Sequence, residues 1–152
     1  MFTHRRDVQI QWGDCDPANI VYYPRYFAMF DDSTSIMFEA AGFSKQDIVH
    51  KYGLVGIPMV DTRAKFHVPS THGDWIRIES RIESFKRSSF EVLHNVFKGD
   101  RLAIEAWETR VLVGRHPDDP EKLKSAPVPP EIIERFMRAD SPPGADSVPG
   151  MT

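Results

Sequence analysis

Hydrophobic spacing divides this chain into a short opening strand, a long amphipathic helix and an extended run of sheet. Residues 7–12 (DVQIQW) alternate, with Val8, Ile10 and Trp12 on one side, and predict a first strand. The stretch GDCDPANIVYYP packs glycine, two aspartates, asparagine and two prolines into a loop. Pro24 then suits the first turn of a helix, where its missing N–H costs nothing. Beyond it Phe27, Phe30, Met37, Phe38 and Ala41, with Thr34 filling the remaining step, form one buried stripe at helical spacing. Gly42 supplies the stop. Ser44 to Asp47 resembles a capping box opening a second, short helix, SKQDIVHKY, ended by Gly53.

The remainder reads as sheet. LVGIPMVDTRAKFHV (54–68) is rich in β-branched residues but carries Gly56 and Pro58, which predict a bulge or a sheet edge. WIRIESRIESF (75–85) alternates cleanly: Ile76, Ile78 and Ile82 face one way, Arg77, Glu79, Arg81 and Glu83 the other. One covered and one solvated face is the pattern of an antiparallel sheet. SSFEVLHNVFK (88–98) and RLAIEAWETRVLVGR (101–115) follow, joined by a tight turn at Gly99-Asp100. A weak helix, PEIIERFMRA, comes after HPDDPEKLKSAPVPP. A long helix needs an apolar sheet face to cover it, so the fold class is α+β, a curved antiparallel sheet around that helix.

The unusual segment is the loop before the helix. It brings Asp14, Cys15, Asp16, Tyr22 and Tyr23 to a helix N-terminus, where unpaired N–H groups and the positive end of the macrodipole can polarise a carbonyl. A carboxylate there can attack that carbonyl or activate water to do so. Aspartates ahead of helices are ordinarily caps, and Asp14 fits that role better than Asp16. Cys15 lies between two carboxylates, a poor setting for a thiolate nucleophile. No G-x-S-x-G elbow is present, and the six histidines form no H-x-H or H-E-x-x-H pair, so neither serine chemistry nor metal binding is expected. His94, within a strand, reads as a packed or hydrogen-bonded residue. Lys86-Arg87 is ordinarily a solvated turn; its functional reading is a grip on phosphates. Asp31 lies beside the apolar stripe and needs a donor, from the protein or from a bound substrate.

Composition narrows the setting. The 152 residues are 41% hydrophobic and 27% charged with formal net charge −3, against the basic balance of a nucleic-acid binder. They read as one domain, 1–139, with a Pro/Gly-rich tail at 140–152 expected to be disordered. One cysteine excludes an intrachain disulfide and suits a reducing, cytoplasmic compartment. No signal-peptide pattern and no apolar run of membrane-spanning length is found.

The run WGDCDPANIVYYPRYFAMFDD resembles the 4-hydroxybenzoyl-CoA thioesterase branch of the hotdog-fold thioesterases, whose signature is approximately G-D-x-D-x-x-G-[IV]-V-[YW]-[YF]-x-x-Y. The similarity continues through GLVGIPMVDTRAKF and ESFKRSSFEV, from Val8 to Val113. The resemblance implies a five-stranded antiparallel sheet around the long helix. It implies dimers joined edge to edge, often paired into homotetramers, with no cofactor. It implies Asp16 as nucleophile or general base, and the Tyr23 N–H as the group polarising the thioester carbonyl. Lys86 and Arg87 would meet the CoA nucleotide phosphates, and Asp31 a hydroxyl on the acyl ring. Two positions depart from the pattern. Asn19 replaces the signature glycine, although asparagine tolerates the left-handed conformation well, and Arg25 stands where asparagine is usual.

The expected activity is hydrolysis of an aromatic acyl-CoA, such as 4-hydroxybenzoyl- or benzoyl-CoA. One alternative is a short- or medium-chain aliphatic acyl-CoA thioesterase; another is a non-catalytic acyl-CoA-binding module.

Overall fold

The computed structural model describes residues 1–138. The tail expected at 140–152 lies outside the described residues. In chain order the elements are β1 (Thr3–Gln9), a 3-10 turn (Trp12–Asp14), α1 (Tyr23–Ala40), α2 (Lys45–His50), β2 (Met59–Phe66), β3 (Trp75–Phe85), β4 (Ser89–Lys98), β5 (Arg101–Val111), β6 (Val113–Arg115), β7 (Leu123–Ser125) and α3 (Pro130–Met137). Five strands form one antiparallel sheet in the order β1-β3-β4-β5-β2, and β6 and β7 form a separate hairpin. This is the α+β architecture the resemblance implied.

Helix α1 has 18 residues, about 27 Å at 1.5 Å per residue. Its buried positions, Tyr26, Met29, Phe30, Ser33, Thr34, Met37 and Phe38, recur at three and four. Tyr26 takes the deeper place expected of Phe27, which is half-buried. The helix ends in a Schellman arrangement: Gly42 adopts φ +101°, the Gly42 N–H donates to Glu39 O at 3.0 Å and the Phe43 N–H to Phe38 O at 2.8 Å. Ser44 and Asp47 cap α2 reciprocally.

The helix stripe meets the sheet in two apolar clusters. Near its start Tyr26, Met29 and Phe30 pack with Ile76, Ile78, Val96 and Ile104. Near its end Met37 and Phe38 pack with Ile82, Phe90, Val92 and Leu112. Phe136 of α3 closes this second cluster, fully buried, with its ring 4.8 Å from that of Phe38 and 5.5 Å from that of Phe2. Helix α1 therefore runs alongside β3 from Ile76 toward Ile82.

The opening strand is displaced from its expected place. It spans Thr3–Gln9, not 7–12, and its inward side includes the polar His4 and Arg6, which hid it from an apolar count. Trp12 is not on its buried face. The chain turns first, because Asp14 Oδ2 accepts from the Gln11 N–H at 2.8 Å, and Trp12 is left 74% exposed. The expected irregularity near Pro58 is present: β2 is an edge strand whose register shifts between Met59 and Asp61. The segment 101–115 is two strands, with Leu112 buried between them.

Candidate active site

The loop between β1 and α1 is ordered by its own polar groups. The Asp16 N–H donates to Ile20 O at 3.0 Å and the Asn19 N–H to Asp16 O at 2.8 Å, a closure that places Asn19 at φ +64°. Asn19 is the one non-glycine residue with positive φ among the described residues, so the departure from the signature glycine falls where asparagine substitutes well. The Thr71 hydroxyl donates to Asn19 O at 2.6 Å, and the Val21 N–H to Ser70 O at 2.9 Å, tying the loop to the segment between β2 and β3.

This geometry separates the two aspartates. Asp14 is a capping residue, committed to the Gln11 N–H. Asp16 is half-buried and uses Oδ1 to accept from the Ala18 N–H at 2.8 Å. It borders a shallow cavity of about 280 Å³ with Trp12, Cys15, Pro17 and Asn19. Cys15 turns toward the core, packs against the first apolar cluster and places Sγ 3.7 Å from Gln11 O. Tyr22, the N-cap, donates its N–H to Asp14 O at 2.8 Å.

Tyr23 opens α1. Among the described residues no side chain caps this helix, no acidic residue lies in its first turn, and Pro24 contributes no N–H. The positive end of the macrodipole is thus unneutralised next to the Asp16 loop, a setting suited to a developing oxyanion. A second concavity of about 210 Å³ opens here, lined by Ile20, Val21, Tyr23, Tyr26, Phe66 and Val68 among others. Burial pushes the Tyr26 phenol above its ordinary value. Trp12, Ile20, Tyr22, Tyr23, Phe66 and Trp75 are all exposed around this end of the molecule. At the same end Lys98 pairs with Asp74 at 2.8 Å, and that hydrogen bond, with the Thr71 N–H, holds the Asp74 carboxyl below its usual range.

The remaining candidates lie elsewhere. Lys86 and Arg87 are exposed in the turn after β3, where the Lys86 N–H donates to Ser89 O at 2.8 Å. The 11 residues of β3 separate that turn from the Asp16 end of the sheet by roughly 30 Å. One chain does not bring them together. Asp31 has found a protein donor: Arg110 Nη2 donates to its Oδ1 at 2.7 Å.

Behind Asp31 is a cluster that sequence reading missed. Glu108 is fully buried between the two apolar clusters. Its Oε1 lies 2.5 Å from His94 Nε2 and accepts from the Thr34 hydroxyl at 2.5 Å; its Oε2 accepts from Arg110 Nη2 at 2.6 Å. His94 Nδ1 lies 2.7 Å from Ser80 Oγ, and the Phe30 ring stacks on the imidazole at 5.1 Å. Burial alone would raise the Glu108 carboxyl, but His94, Arg110 and the Thr34 hydroxyl outweigh it and hold the group below its usual range. The available signal was phase: Glu108 and Arg110 share the inward phase of β5 with Ile104 and Ala106. Only the pairing register shows that His94 lies across from Ala106 and Ser80 across from His94.

The profile of the thioesterase-like superfamily matches residues 10–136. The 4-hydroxybenzoyl-CoA thioesterase of Pseudomonas sp. (strain CBS-3) is 35% identical over 133 residues, covering 83% of this chain and 92% of that protein. The acyl-CoA thioester hydrolase YbgC of Escherichia coli is 21% identical over 134 residues, covering 88% of this chain and 96% of its own. The solved structure of the Pseudomonas enzyme aligns with a TM-score of 0.78 at 32% identity, covering 88% of this chain and 98% of that one. A five-stranded antiparallel sheet around one long helix, with this neighbour, is the hotdog fold of a hydrolytic enzyme. The chain belongs to the thioesterase-like superfamily, and its chemistry is thioester hydrolysis.

Proposed function

We infer that the protein hydrolyses an aromatic acyl-CoA, 4-hydroxybenzoyl-CoA or a related benzoyl-CoA, to the free acid and CoA. The observation that carries this reading is an ordered loop presenting the Asp16 carboxylate beside a helix N-terminus that no described side chain caps. The thioester carbonyl oxygen takes the Tyr23 N–H, where the helix dipole favours the charge that develops on it. The Asp16 carboxylate then adds to the carbonyl carbon, or removes a proton from a water that does so. The tetrahedral centre collapses and the C–S bond breaks, releasing CoA as thiolate. If Asp16 itself has added, water cleaves the resulting anhydride. The 35% identity to an enzyme named for 4-hydroxybenzoyl-CoA supports an aryl substrate. On this reading Asp31 meets a polar substituent of the ring.

A second copy of the chain completes the site. Each of the two concavities is smaller than an ordinary small-molecule pocket of about 300–1,000 Å³. The outer edge of β2 is unpaired among the described residues and exposes Met59, Val60 and Phe66, a surface that invites strand pairing. Dimers joined along β2, and dimers of dimers bringing a neighbour's Lys86 and Arg87 to the nucleotide phosphates, fit these facts. A cytoplasmic setting accompanies this reading, supported by the single free cysteine.

Thiol release from 4-hydroxybenzoyl-, benzoyl-, phenylacetyl- and butyryl-CoA tests the reading. We expect kcat/KM to favour the aryl esters. A preference for butyryl-CoA would instead select an aliphatic acyl-CoA thioesterase, and tight binding without thiol release a non-catalytic module.

A further inference from the structure

Arg110 is held more tightly than recognition of a surface carboxylate requires. Its side chain is 7% exposed, whereas that of its partner Asp31 is 62% exposed. Nη2 donates to Asp31 Oδ1 at 2.7 Å and to Glu108 Oε2 at 2.6 Å, while Nη1 donates to Ile57 O at 3.2 Å. Nε is buried with no partner among the described residues. Glu108 is itself fixed by Thr34 and His94, and His94 by Ser80 and the stacked Phe30 ring. A continuous chain of polar contacts therefore runs from the middle of the sheet to the exposed carboxylate on α1.

An ordinary surface ion pair is weak because two flexible side chains must be ordered to make it. Here the cation is already fixed from the core, so only Asp31 is ordered, and its direction is inherited from buried groups. Stability gives little reason for the arrangement. A buried charge cluster commonly does no better than apolar side chains of the same volume, and an unpartnered Arg110 Nε adds to its cost. One Asp31 oxygen is committed to Arg110, and the other accepts no hydrogen bond among the described residues.

We propose that Arg110 is a positioning residue for acyl-group recognition: it aims the Asp31 carboxylate at a hydrogen-bond donor on the acyl ring and so sets the preference for a hydroxylated over an unsubstituted ring. This rests on the reading of Asp31 given under Proposed function. Arg110 does not itself touch substrate. Glu108 and His94 act one step further back, by holding Arg110 in place.

The test compares kcat and KM on 4-hydroxybenzoyl-CoA and benzoyl-CoA for wild type, Arg110→Lys, Arg110→Met, Asp31→Asn and the double variant Arg110→Met/Asp31→Asn, with a thermal midpoint for each. Losing a hydrogen bond to a charged group corresponds to about tenfold to a hundredfold in discrimination. Arg110→Met is expected to lower the hydroxybenzoyl/benzoyl ratio of kcat/KM by about that factor, mainly through KM for the hydroxylated ester. Arg110→Lys should recover part of the ratio, and the double variant should be no less selective than Asp31→Asn alone. If Arg110→Met leaves Glu108 unpaired and fails to fold, Arg110→Met/Glu108→Gln removes both charges and takes its place. A folded Arg110 variant that keeps the wild-type ratio, or loses rate equally on both esters, overturns the positioning role while leaving the thioesterase reading intact. A wild type indifferent to the ring hydroxyl overturns the aryl specificity, and the role of Arg110 with it.

Discussion

Replacing Asp16 by asparagine should separate chemistry from folding more cleanly than any other change in this loop. The only side-chain bond that Asp16 makes among the described residues is accepted by its Oδ1 from the Ala18 N–H at 2.8 Å, and an asparagine oxygen can accept the same bond, losing only its charge assistance. The two backbone bonds that close the turn, Asp16 N–H to Ile20 O and Asn19 N–H to Asp16 O, do not involve the side chain. The residue is half-buried, so no cavity opens. Stability should therefore change by no more than about 0.5 kcal/mol, roughly 1–2 °C in thermal midpoint for a domain of this size. The carboxamide can neither add to the thioester nor take a proton from water. Loss of a positioned base costs about 10²–10⁴ in rate, and loss of the nucleophile at least as much. We expect kcat to fall about a thousandfold or more, near 4 kcal/mol at 1.36 kcal/mol per tenfold. KM should change only a few-fold, because the shape of the site and the Tyr23 N–H persist. Thiol release on the preferred ester, with thermal melting of the same preparation, measures both quantities. Asp14→Asn is the comparison, since its carboxylate is a cap and should matter to the loop more than to the chemical step. A folded Asp16→Asn enzyme within tenfold of the wild-type kcat would refute the reasoning. So would a large drop in melting temperature, which would make Asp16 a structural cap like its neighbour.

Three further outcomes follow from the packing. Phe136→Ala empties a fully buried site against Phe2 and Phe38 and should cost about 3–5 kcal/mol in a denaturant titration; a loss under about 1 kcal/mol would show that α3 does not belong to the core. Asn19→Gly should leave stability within about 0.5 kcal/mol, because glycine accepts φ +64° freely, whereas Asn19→Val should cost about 1–3 kcal/mol in melting experiments and lower kcat by distorting the Asp16 turn. The folded-state value of Glu108 is depressed, so its stabilisation is fully present above the ordinary glutamate range and is lost as pH falls through the lower folded value. Urea midpoints from about pH 7 down to about pH 3 should show wild type and Glu108→Gln converging as the carboxylate is protonated; a gap constant with pH would exclude Glu108 as a source of acid sensitivity.

The elements that could be read from the sequence are those whose own residues carry the signal. The α1 stripe recurs at three and four, β3 alternates without interruption until Ile82, and α2 announces itself through Ser44 and Asp47. The elements missed or misplaced are those whose inward residues are polar or whose partners are distant. Strand β1 hides because His4 and Arg6 point inward, and Arg6 is satisfied by Ser33 and the Met29 carbonyl of the helix above it. Alternation alone places Trp12 on a buried face, because it does not register the Asp14 cap that turns the chain. Helix α3 is legible as PEIIERFMRA, but that Phe136 and Ile132 pack into the cluster formed by the far ends of α1, β3 and β4 is not, because their partners are distant in the chain.

The candidate site divides in the same way. Local spacing was enough to place Asp16 and Tyr23 in one loop at one helix N-terminus, because the distance between them is set by a few residues of chain and by the turn that Asn19 permits. Residues in the inward phase of different strands come together only when the sheet pairs in register, so the Ser80–His94–Glu108–Arg110–Asp31 chain was invisible until the fold supplied that register. The sequence by itself determined the helix, the alternating strands and the aspartate loop, since these are fixed by periodicity and by turn chemistry over short distances. The tertiary structure decided which polar groups are buried together and that Lys86 and Arg87 stand at the opposite end of β3 from the Asp16 loop within one chain. Both depend on contacts between residues far apart in the sequence, which no local pattern encodes.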